Sequence, residues 1–295
     1  MRIAVTGKQG QVVQSLLELA PAHGVELVAV GRPDLDLADP ASVLPALAEA
    51  RPDLIVSAAA YTAVDRAESE ADLAHAVNAI GAGAVAEAAA ALGVPVIHLS
   101  TDYVFGGDKP SPYVETDPTG PISVYGNTKL EGELRIAAAH ANHVILRTAW
   151  IYSPFGANFV KTMLRLAESR DEVGVVADQR GCPTSALDIA EAVIAIAKRL
   201  SADSSPALRG TFHLTGSGEA TWAEFAREIF ARSKALGGRS AHVVPITTAE
   251  YPTPARRPAN SRLSGEKLAE TYGIRLPDWK CSTDVVMQAI LKNAI

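Results

Sequence analysis

Tyr125 and Lys129 stand four positions apart in a stretch that has the pattern of a helix. Residues at positions i and i+4 lie on one face of a helix, one turn apart. An ammonium group beside a phenol favours the phenolate, so we expect Lys129 to lower the pKa of Tyr125 from about 10 toward neutrality. Such a phenol can exchange a proton with a carbonyl oxygen. Alone the spacing is a weak signal, because it also arises by chance.

A hydroxyl that could hold the same carbonyl oxygen is that of Thr101, which follows Ser100 at the end of an apolar run. The competing interpretation is a helix or turn cap, a role to which a threonine side chain is equally suited. The sequence does not decide between the two.

Gly7 and Gly10 flank a turn directly after a β-branched run and before an apolar-periodic stretch. Glycine allows a phosphate to approach the backbone, and the amino end of the following helix supplies positive potential. Val13 occupies the position of the third glycine of the dinucleotide-binding fingerprint, which weakens the signal. Together with Tyr125 and Lys129, the turn predicts a dinucleotide cofactor.

Arg32 follows the second apolar run, where NAD-selective proteins carry an acidic residue. A guanidinium at this point can bind a ribose 2′-phosphate through charge-assisted hydrogen bonds. The alternative is that Arg32 points into solvent. A further alternative is that Asp34 or Asp36 turns onto the ribose, as an NAD-binding carboxylate does. We therefore expect NADPH to be preferred and NADH to be accepted.

The elements that must position these residues alternate between apolar strands and alanine-rich helices. We predict strands over 2–6, 27–30, 54–59, 94–100 and 144–147, and helices over 12–20, 39–50, 71–91 and 125–140. This alternation indicates an α/β fold with a doubly wound parallel sheet, covered on both faces and binding ligands at the carboxyl ends of its strands.

The rhythm weakens after residue 150. We expect a Rossmann-like dinucleotide-binding domain over 1–150 and, over 151–295, a smaller, mainly substrate-binding lobe that is interleaved with the last strands of the sheet. A capping box at Thr221 and Glu224 predicts the start of a helix in this lobe.

Composition excludes several classes of protein. Of the 295 residues 48% are hydrophobic and 20% charged, as in ordinary globular domains, and the net charge of −6 does not favour nucleic acid or an anionic membrane. The two cysteines, Cys182 and Cys281, lack the spacing of a zinc ribbon or a disulfide framework. With no signal-peptide pattern and no apolar stretch of bilayer length, we expect a cytoplasmic protein without nucleic-acid or membrane partners.

Seven blocks in order along nearly the whole chain resemble the extended short-chain dehydrogenase/reductases and, among these, the dTDP-4-dehydrorhamnose reductase family. The blocks are 7–12, 58–68, 100–105, 124–129, 147–150, 178–184 and 257–263. The resemblance implies reduction of the C4 ketone of dTDP-4-dehydro-6-deoxy-L-mannose to dTDP-L-rhamnose by hydride from NADPH or NADH. This reaction is the last step in making that nucleotide sugar for cell-surface polysaccharide.

The resemblance also implies roles for single residues. Tyr125 would be the proton donor, Lys129 would orient the nicotinamide ribose and polarise Tyr125, and Thr101 would hydrogen-bond the ketone. Cofactor contacts are implied at Gly10, Gln11 and Val12 for the pyrophosphate, at Asp36 and Leu37 for the adenine, and at Ala60, Tyr61 and Thr62 for the ribose. Substrate contacts are implied at Thr101, Asp102 and Trp150.

Alternatives remain open. Some family members bind Mg²⁺ between subunits through glutamates at positions that here hold Ser15 and Leu187, so no metal is predicted and a homodimer is left open. Another NDP-4-keto-6-deoxysugar reductase, or a non-catalytic NADP-binding regulatory subunit, would share the pattern. Tyr103 stands where related dehydratases carry a glutamate, which argues against water elimination. The intact Thr101, Tyr125 and Lys129 favour catalysis.

Overall fold

The computed structural model describes residues 1–292 of the 295. The strands are β1 (Arg2–Thr6), β2 (Glu26–Val30), β3 (Leu54–Ser57), β4 (Val96–Thr101), β5 (His143–Thr148), β6 (Ile151–Tyr152), β7 (Glu172–Val176), β8 (Arg180–Gly181), β9 (Thr184–Ser185), β10 (Gly210–His213), β11 (Ala220–Thr221) and β12 (His242–Ile246). The α-helices are α1 (Gln11–Leu19), α2 (Val43–Ala50), α3 (Val64–Ala67), α4 (Ala71–His75), α5 (Ala82–Leu92), α6 (Val124–Ala139), α7 (Phe159–Ala167), α8 (Ala186–Ala202), α9 (Trp222–Ala235), α10 (Glu266–Tyr272) and α11 (Trp279–Lys292).

Six strands form one parallel sheet in the order β2-β1-β3-β4-β5-β10. Every residue of β3 and β4 is buried, as expected for apolar strands covered on both faces. β1 lies between β2 on one side and β3 on the other, so the chain changes direction across the sheet after β2. Such a change opens a crevice at the carboxyl ends of β1 and β3. The predicted doubly wound α/β fold is confirmed.

Helices cover both faces of this sheet. On one face α1 and α8 pack over Ile3, Val5 and Val56. On the other face α2 and α5 pack over Ala4 and Ile55. Most buried residues of α5 are alanine or glycine, so this helix lies close to the sheet and to α6.

The predicted helix over 71–91 contains a wide turn that its sequence did not indicate. The chain runs helically from Ala71 to Leu92, but Ala76–Gly81 is π-helical. Asn78 in this turn accepts a hydrogen bond from the Tyr61 amide (2.8 Å) and donates to the Thr128 hydroxyl (3.2 Å). The stretch has the length and mean hydropathy of a membrane span, yet 56% of its most apolar 18-residue window is buried inside the protein.

A second core lies outside the main sheet. It is formed by α7, α9 and α11 with three two-stranded sheets, β7–β12, β6–β9 and β8–β11. The predicted capping box is confirmed, since Thr221 accepts from the Glu224 amide (3.1 Å) and Glu224 from the Thr221 amide (2.7 Å). The domain limits 1–150 and 151–295 stay a prediction, and the last three residues of the second range lie outside the described residues. Both α8 and β10, which follow residue 150, pack in the first core.

Candidate active site

Thr101 ends β4 at the carboxyl edge of the sheet, Asp102 follows it directly, and both are buried. The Thr101 hydroxyl accepts a hydrogen bond from the Tyr103 amide (3.2 Å) and donates to Asp102 Oδ1 (3.0 Å). The cap interpretation of Thr101 is therefore correct, and it does not exclude the predicted role toward a carbonyl.

Asp102 is an unusual carboxyl group. Burial raises its pKa to about 7, against the opposing effect of hydrogen bonds with Ser261 and Thr101. Its Oδ2 atom is buried and finds no hydrogen-bond partner among residues 1–292. A carboxyl group in this state carries its proton for part of the time at neutral pH.

Tyr125 lies in the first turn of α6, which Ser123 caps by accepting from the Gly126 amide (3.1 Å). Its ring meets the Tyr103 ring edge-on, with the centroids 5.8 Å apart. Burial raises the pKa of Tyr125 to about 12, with the hydrogen-bonding contact between Tyr125 and Thr101 acting in the opposite direction. The expected lowering by Lys129 is wrong for this structure, because the Lys129 ammonium is bonded to β4 and burial dominates.

Lys129 is 2% exposed, and its Nζ atom donates to the Leu99 carbonyl (2.7 Å) and lies 3.1 Å from His98 Nε2. Burial lowers the pKa of Lys129 to about 8, and the nearby Glu133 acts in the opposite direction. His98 was not predicted as a site residue. The available signal was a histidine within an otherwise apolar strand, three residues before Thr101.

A buried ion pair between β5 and α6 lies next to Lys129 and His98. Arg147 on β5 donates through Nη2 to Glu133 Oε2 (2.7 Å) and through Nε to Glu133 Oε1 (3.0 Å). Ser100 on β4 donates to the same carboxylate. Two of the sequence blocks that carry the family resemblance, around Ser100 and Arg147, are thereby joined to α6.

The glycine turn after β1 fits a pyrophosphate group. Gly7 has φ +96°, a conformation that L side chains rarely adopt. Gly10 begins α1 without a side-chain cap, and the first turn of α1 has no acidic residue, so its N–H groups are free for an anion. Val13 packs 2% exposed in the core, where the fingerprint has its third glycine.

Of the other predicted cofactor contacts, Gln11 and Val12 can reach a pyrophosphate with backbone atoms only. The Gln11 side chain accepts hydrogen bonds from Ser153 (2.8 Å) and Asn158 (3.0 Å), and Val12 lies in the core. Arg32 is exposed at the end of β2. The neighbouring Asp34 is paired with Lys8 at 3.2 Å.

The predicted adenine and ribose contacts lie in two loops. Leu37 is buried against α5 and Asp36 is half-buried, so the Leu37 side chain faces the interior. Ala60 and Tyr61 are half-buried and Thr62 is exposed, all in the loop that follows β3. These five contacts stay predictions.

Trp150 follows β5 and has the positive φ of +48° that is rare outside glycine. Its indole stacks on Trp222 with a centroid distance of 3.5 Å and an interplanar angle of 4°. A Cβ atom on Gly181 would overlap this indole, so glycine is required there. The Trp150 ring is thus fixed between β8 and α9.

Arg257, quoted within a sequence block but not predicted as a site residue, joins the long loop after β12 to this region. It forms a two-point ion pair with Asp65, through Nη2 to Oδ2 (2.8 Å) and Nη1 to Oδ1 (3.0 Å). It also interacts with the Tyr103 phenol. Within residues 1–292, no group of three or more His, Cys, Asp or Glu side chains could hold a metal ion.

A doubly wound sheet with a glycine turn after its first strand, and a Tyr-x-x-x-Lys pair beside a strand-end threonine, defines a short-chain dehydrogenase/reductase. The family model for the RmlD substrate binding domain matches residues 1–291. The chain belongs to this family, that of the dTDP-4-dehydrorhamnose reductases.

Three relatives illustrate the similarity. The dTDP-4-dehydrorhamnose reductase of Sinorhizobium fredii is 60% identical over 291 residues, which cover 99% of this chain and 98% of the relative. A crystal structure of the Clostridium acetobutylicum enzyme of that name has 38% identity and a TM-score of 0.91, covering 99% of this chain and 100% of the other. The Bacillus anthracis enzyme, solved in complex with NADP, has 36% identity and a TM-score of 0.89, covering 97% and 98%.

Proposed function

We propose that the chain reduces the C4 ketone of dTDP-4-dehydrorhamnose to give dTDP-L-rhamnose, with NADPH as the preferred reductant. The observation that carries this proposal is the placement of a protonated Tyr125 beside Thr101, at the same edge of the sheet as the glycine turn. A phenol with a pKa of about 12 holds its proton until an alkoxide develops near it, as a general acid requires.

When bound, NADPH supplies the hydride that reduces the ketone carbon. Tyr125 donates its proton to the oxygen that was the ketone oxygen. Lys129, one turn along α6, orients the ribose of the bound cofactor through its ammonium group, whose N–H groups are all donors.

Thr101 positions the ketone oxygen by hydrogen bonding, and Asp102 controls whether the hydroxyl can do so. With Asp102 ionised, the Thr101 proton points to Oδ1 at 3.0 Å. A protonated Asp102 can instead donate to Thr101, which leaves the Thr101 proton for the ketone. The raised pKa of Asp102 favours this second arrangement near neutral pH.

The residues near the glycine turn suit the two phosphate-bearing parts of NADPH, its pyrophosphate and its 2′-phosphate. The backbone of Gly7 and Gly10 and the amino end of α1 hold the pyrophosphate. The exposed Arg32 holds the 2′-phosphate of NADPH. Asp34, the nearest carboxylate after β2, is exposed and pairs with Lys8 at 3.2 Å.

The nucleotide sugar is the expected small-molecule partner, with Trp150 and Asp102 as contacts. We place the protein in the cytoplasm because its cysteines are unpaired, Cys182 being buried and Cys281 exposed. A second copy of the chain is a further candidate partner, which sedimentation analysis would test.

The experiment that tests the proposal is NADPH oxidation by purified protein with a panel of dTDP- and UDP-linked 4-keto-6-deoxyhexoses. We expect turnover with dTDP-4-dehydrorhamnose and formation of the L-rhamnose product. Preference for another sugar would instead assign a different 4-ketosugar reductase, and absence of turnover with every sugar would contradict catalysis.

Tyr125→Phe supplies the internal test of mechanism. We expect kcat to fall by roughly 10²–10⁴-fold while the Kd for NADPH changes little, because the phenol acts in the transition state. Tyr152→Phe is the matched control, since Tyr152 is a buried phenol that bonds to Trp279 and Thr283 in the second core. Wild-type kcat in Tyr125→Phe would overturn the assignment of the acid.

A further inference from the structure

His98 lies on β4 with its whole side chain in the interior, between Ser57 on β3 and Lys129 on α6. An ammonium group has only donors, so Lys129 donates to Nε2 of the ring. Nε2 must then be the unprotonated nitrogen, and Nδ1 carries the proton and donates to Ser57 Oγ (3.0 Å). The two neighbours together specify one neutral tautomer of His98.

The Lys129 ammonium is held on two sides. One N–H bond points to His98 Nε2 (3.1 Å) and a second to the Leu99 carbonyl (2.7 Å), both on β4. The third N–H has no partner in the described part of the chain. Two acceptors on a rigid central strand therefore fix the direction of the remaining N–H.

We propose that His98 is a positioning residue for Lys129: its Nε2 acceptor holds the ammonium so that one N–H remains directed to the ribose of the dinucleotide. The inference rests on the proposed reductase function. It predicts that the affinity for NADPH depends on the acceptor atom at Nε2. The size of the ring and its contact with Ser57 should matter much less.

The charges around Nζ are few. Glu133 on α6 is already paired with Arg147 on β5, and Tyr125 lies one turn away on α6. On β4 the neutral His98 is the contacting side chain, and Asp102 follows the strand end. Burial lowers the pKa of His98 well below its usual range, with the Lys129 charge acting the same way, which keeps the ring an acceptor.

Two substitutions separate the two nitrogens. His98→Gln places an amide oxygen near Nε2 and keeps the acceptor for Lys129, whereas His98→Asn places its amide near Nδ1 and keeps only the contact with Ser57. We measure the NADPH dissociation constant by fluorescence titration from pH 6 to 10, without substrate, together with kcat. His140→Asn is the matched control, because its Nε2 meets the Val94 carbonyl at the opposite end of the sheet.

We expect His98→Asn to raise the NADPH Kd roughly tenfold, since a hydrogen bond to a charged group is lost. The alkaline loss of NADPH binding should also move about one pH unit lower, because Lys129 loses a partner that favours its charged form. His98→Gln should stay within about threefold of the wild type. Thermal unfolding establishes that both variants fold.

Equal behaviour of the Gln and Asn variants, whether both bind normally or both fail, would overturn the proposal, as would a pH profile of His98→Asn that coincides with the wild type. The wild-type protein is measured in parallel. Failure of the wild type to bind NADPH or to reduce any 4-ketosugar would count against the proposed function itself. That outcome differs from failure of the His98 proposal, in which the wild type is active.

Discussion

At the scale of single residues, the site combines three titratable groups, buried Asp102 and Lys129 and half-buried Tyr125, whose pKa values are shifted by loss of solvent. Burial raises the pKa of Asp102 and Tyr125 and lowers that of Lys129, which in each case disfavours the charged form. At neutral pH Asp102 is therefore partly protonated and Tyr125 holds its proton, while Lys129, with a pKa of about 8, is still mainly an ammonium group.

Asp102 should make the stability of the fold depend on pH. Its pKa is about 7 in the folded chain against an ordinary 3.8, so the folded state binds the proton more tightly between these values. The stability that it contributes is present below about pH 4 and is lost as the pH rises through 7. We therefore expect the free energy of unfolding of Asp102→Asn, measured with urea, to rise relative to that of the wild type as the pH increases from 5 to 8.

Asp117→Asn is the control for that measurement. Lys109 lowers the pKa of Asp117, so this carboxylate is ionised in both states across the same interval. Its stability difference from the wild type should not change with pH. A difference for Asp102→Asn that is equally constant would show that the raised pKa is wrong.

Arg32 determines the choice of cofactor in our proposal. Arg32→Ala should raise the KM for NADPH roughly three- to tenfold, because a charge-assisted contact at an exposed position is lost, and should leave the KM for NADH unchanged. Steady-state kinetics with the two cofactors measures this, with the exposed Arg170→Ala as control. An equal change in the KM values for NADPH and NADH would contradict the proposed contact between Arg32 and the 2′-phosphate.

At the scale of elements, α6 carries both Tyr125 and Lys129, and its placement depends on close contact with the π-helical turn. Gly132 of α6 approaches this turn so closely that a Cβ atom would overlap the Asn78 carbonyl oxygen. The Asn78 side chain reaches Thr128 in the same helix. The π-helical turn thus determines where α6 lies along β4.

Gly132→Ala should destabilise the fold by about 1–3 kcal/mol through overpacking. Helix propensity alone predicts the opposite sign, a gain of about 1 kcal/mol, so urea unfolding separates the two effects by direction. Gly120→Ala, where a Cβ would meet nothing within 4 Å, provides the control. A more stable Gly132→Ala would contradict the close contact.

The sequence predicts those elements that are periodic and local. The strand before Gly7, the helix that carries Tyr125 and the capping box at Thr221 follow from short-range patterns, and the structure has them within one or two residues. It does not predict the π turn or the partner of Lys129. Both depend on contacts between residues far apart in the chain, such as Asn78 with Thr128 and His98 with Lys129.

The same limit applies to Gln11 and Leu37. Resemblance implies that both contact the cofactor, which stays a prediction; it does not show that the Gln11 side chain bonds to Ser153 or that the Leu37 side chain is buried. A linear motif identifies a position in the chain without giving the direction of its side chain. The positions of Thr101, Tyr125 and Asp102 could be predicted because a strand end and a helix start set them.

At the scale of the whole molecule, the sheet is completed by a strand that comes late in the sequence. β10 pairs with β5, and α8 covers α1, although both follow residue 150. Residues 1–150 alone would expose the edge of β5 and an apolar face of α1. We expect that fragment to aggregate and to lack a cooperative unfolding transition, as measured by light scattering and circular dichroism.

Cooperative unfolding of the 1–150 fragment at the midpoint of the full chain would contradict this expectation. Such a result would also place an independent folding unit at the predicted boundary. The full chain, measured under the same conditions, is the reference.

The stacked pair of Trp150 and Trp222 makes the protein its own optical probe. All three tryptophans lie after residue 149, at 150, 222 and 279, and each packs in or against the second core. We expect two nearly parallel indoles whose ring centroids lie 3.5 Å apart to couple their electronic transitions and to quench each other's emission. A nucleotide sugar that moves Trp150 would brighten the emission and alter the near-ultraviolet dichroism, with no label introduced.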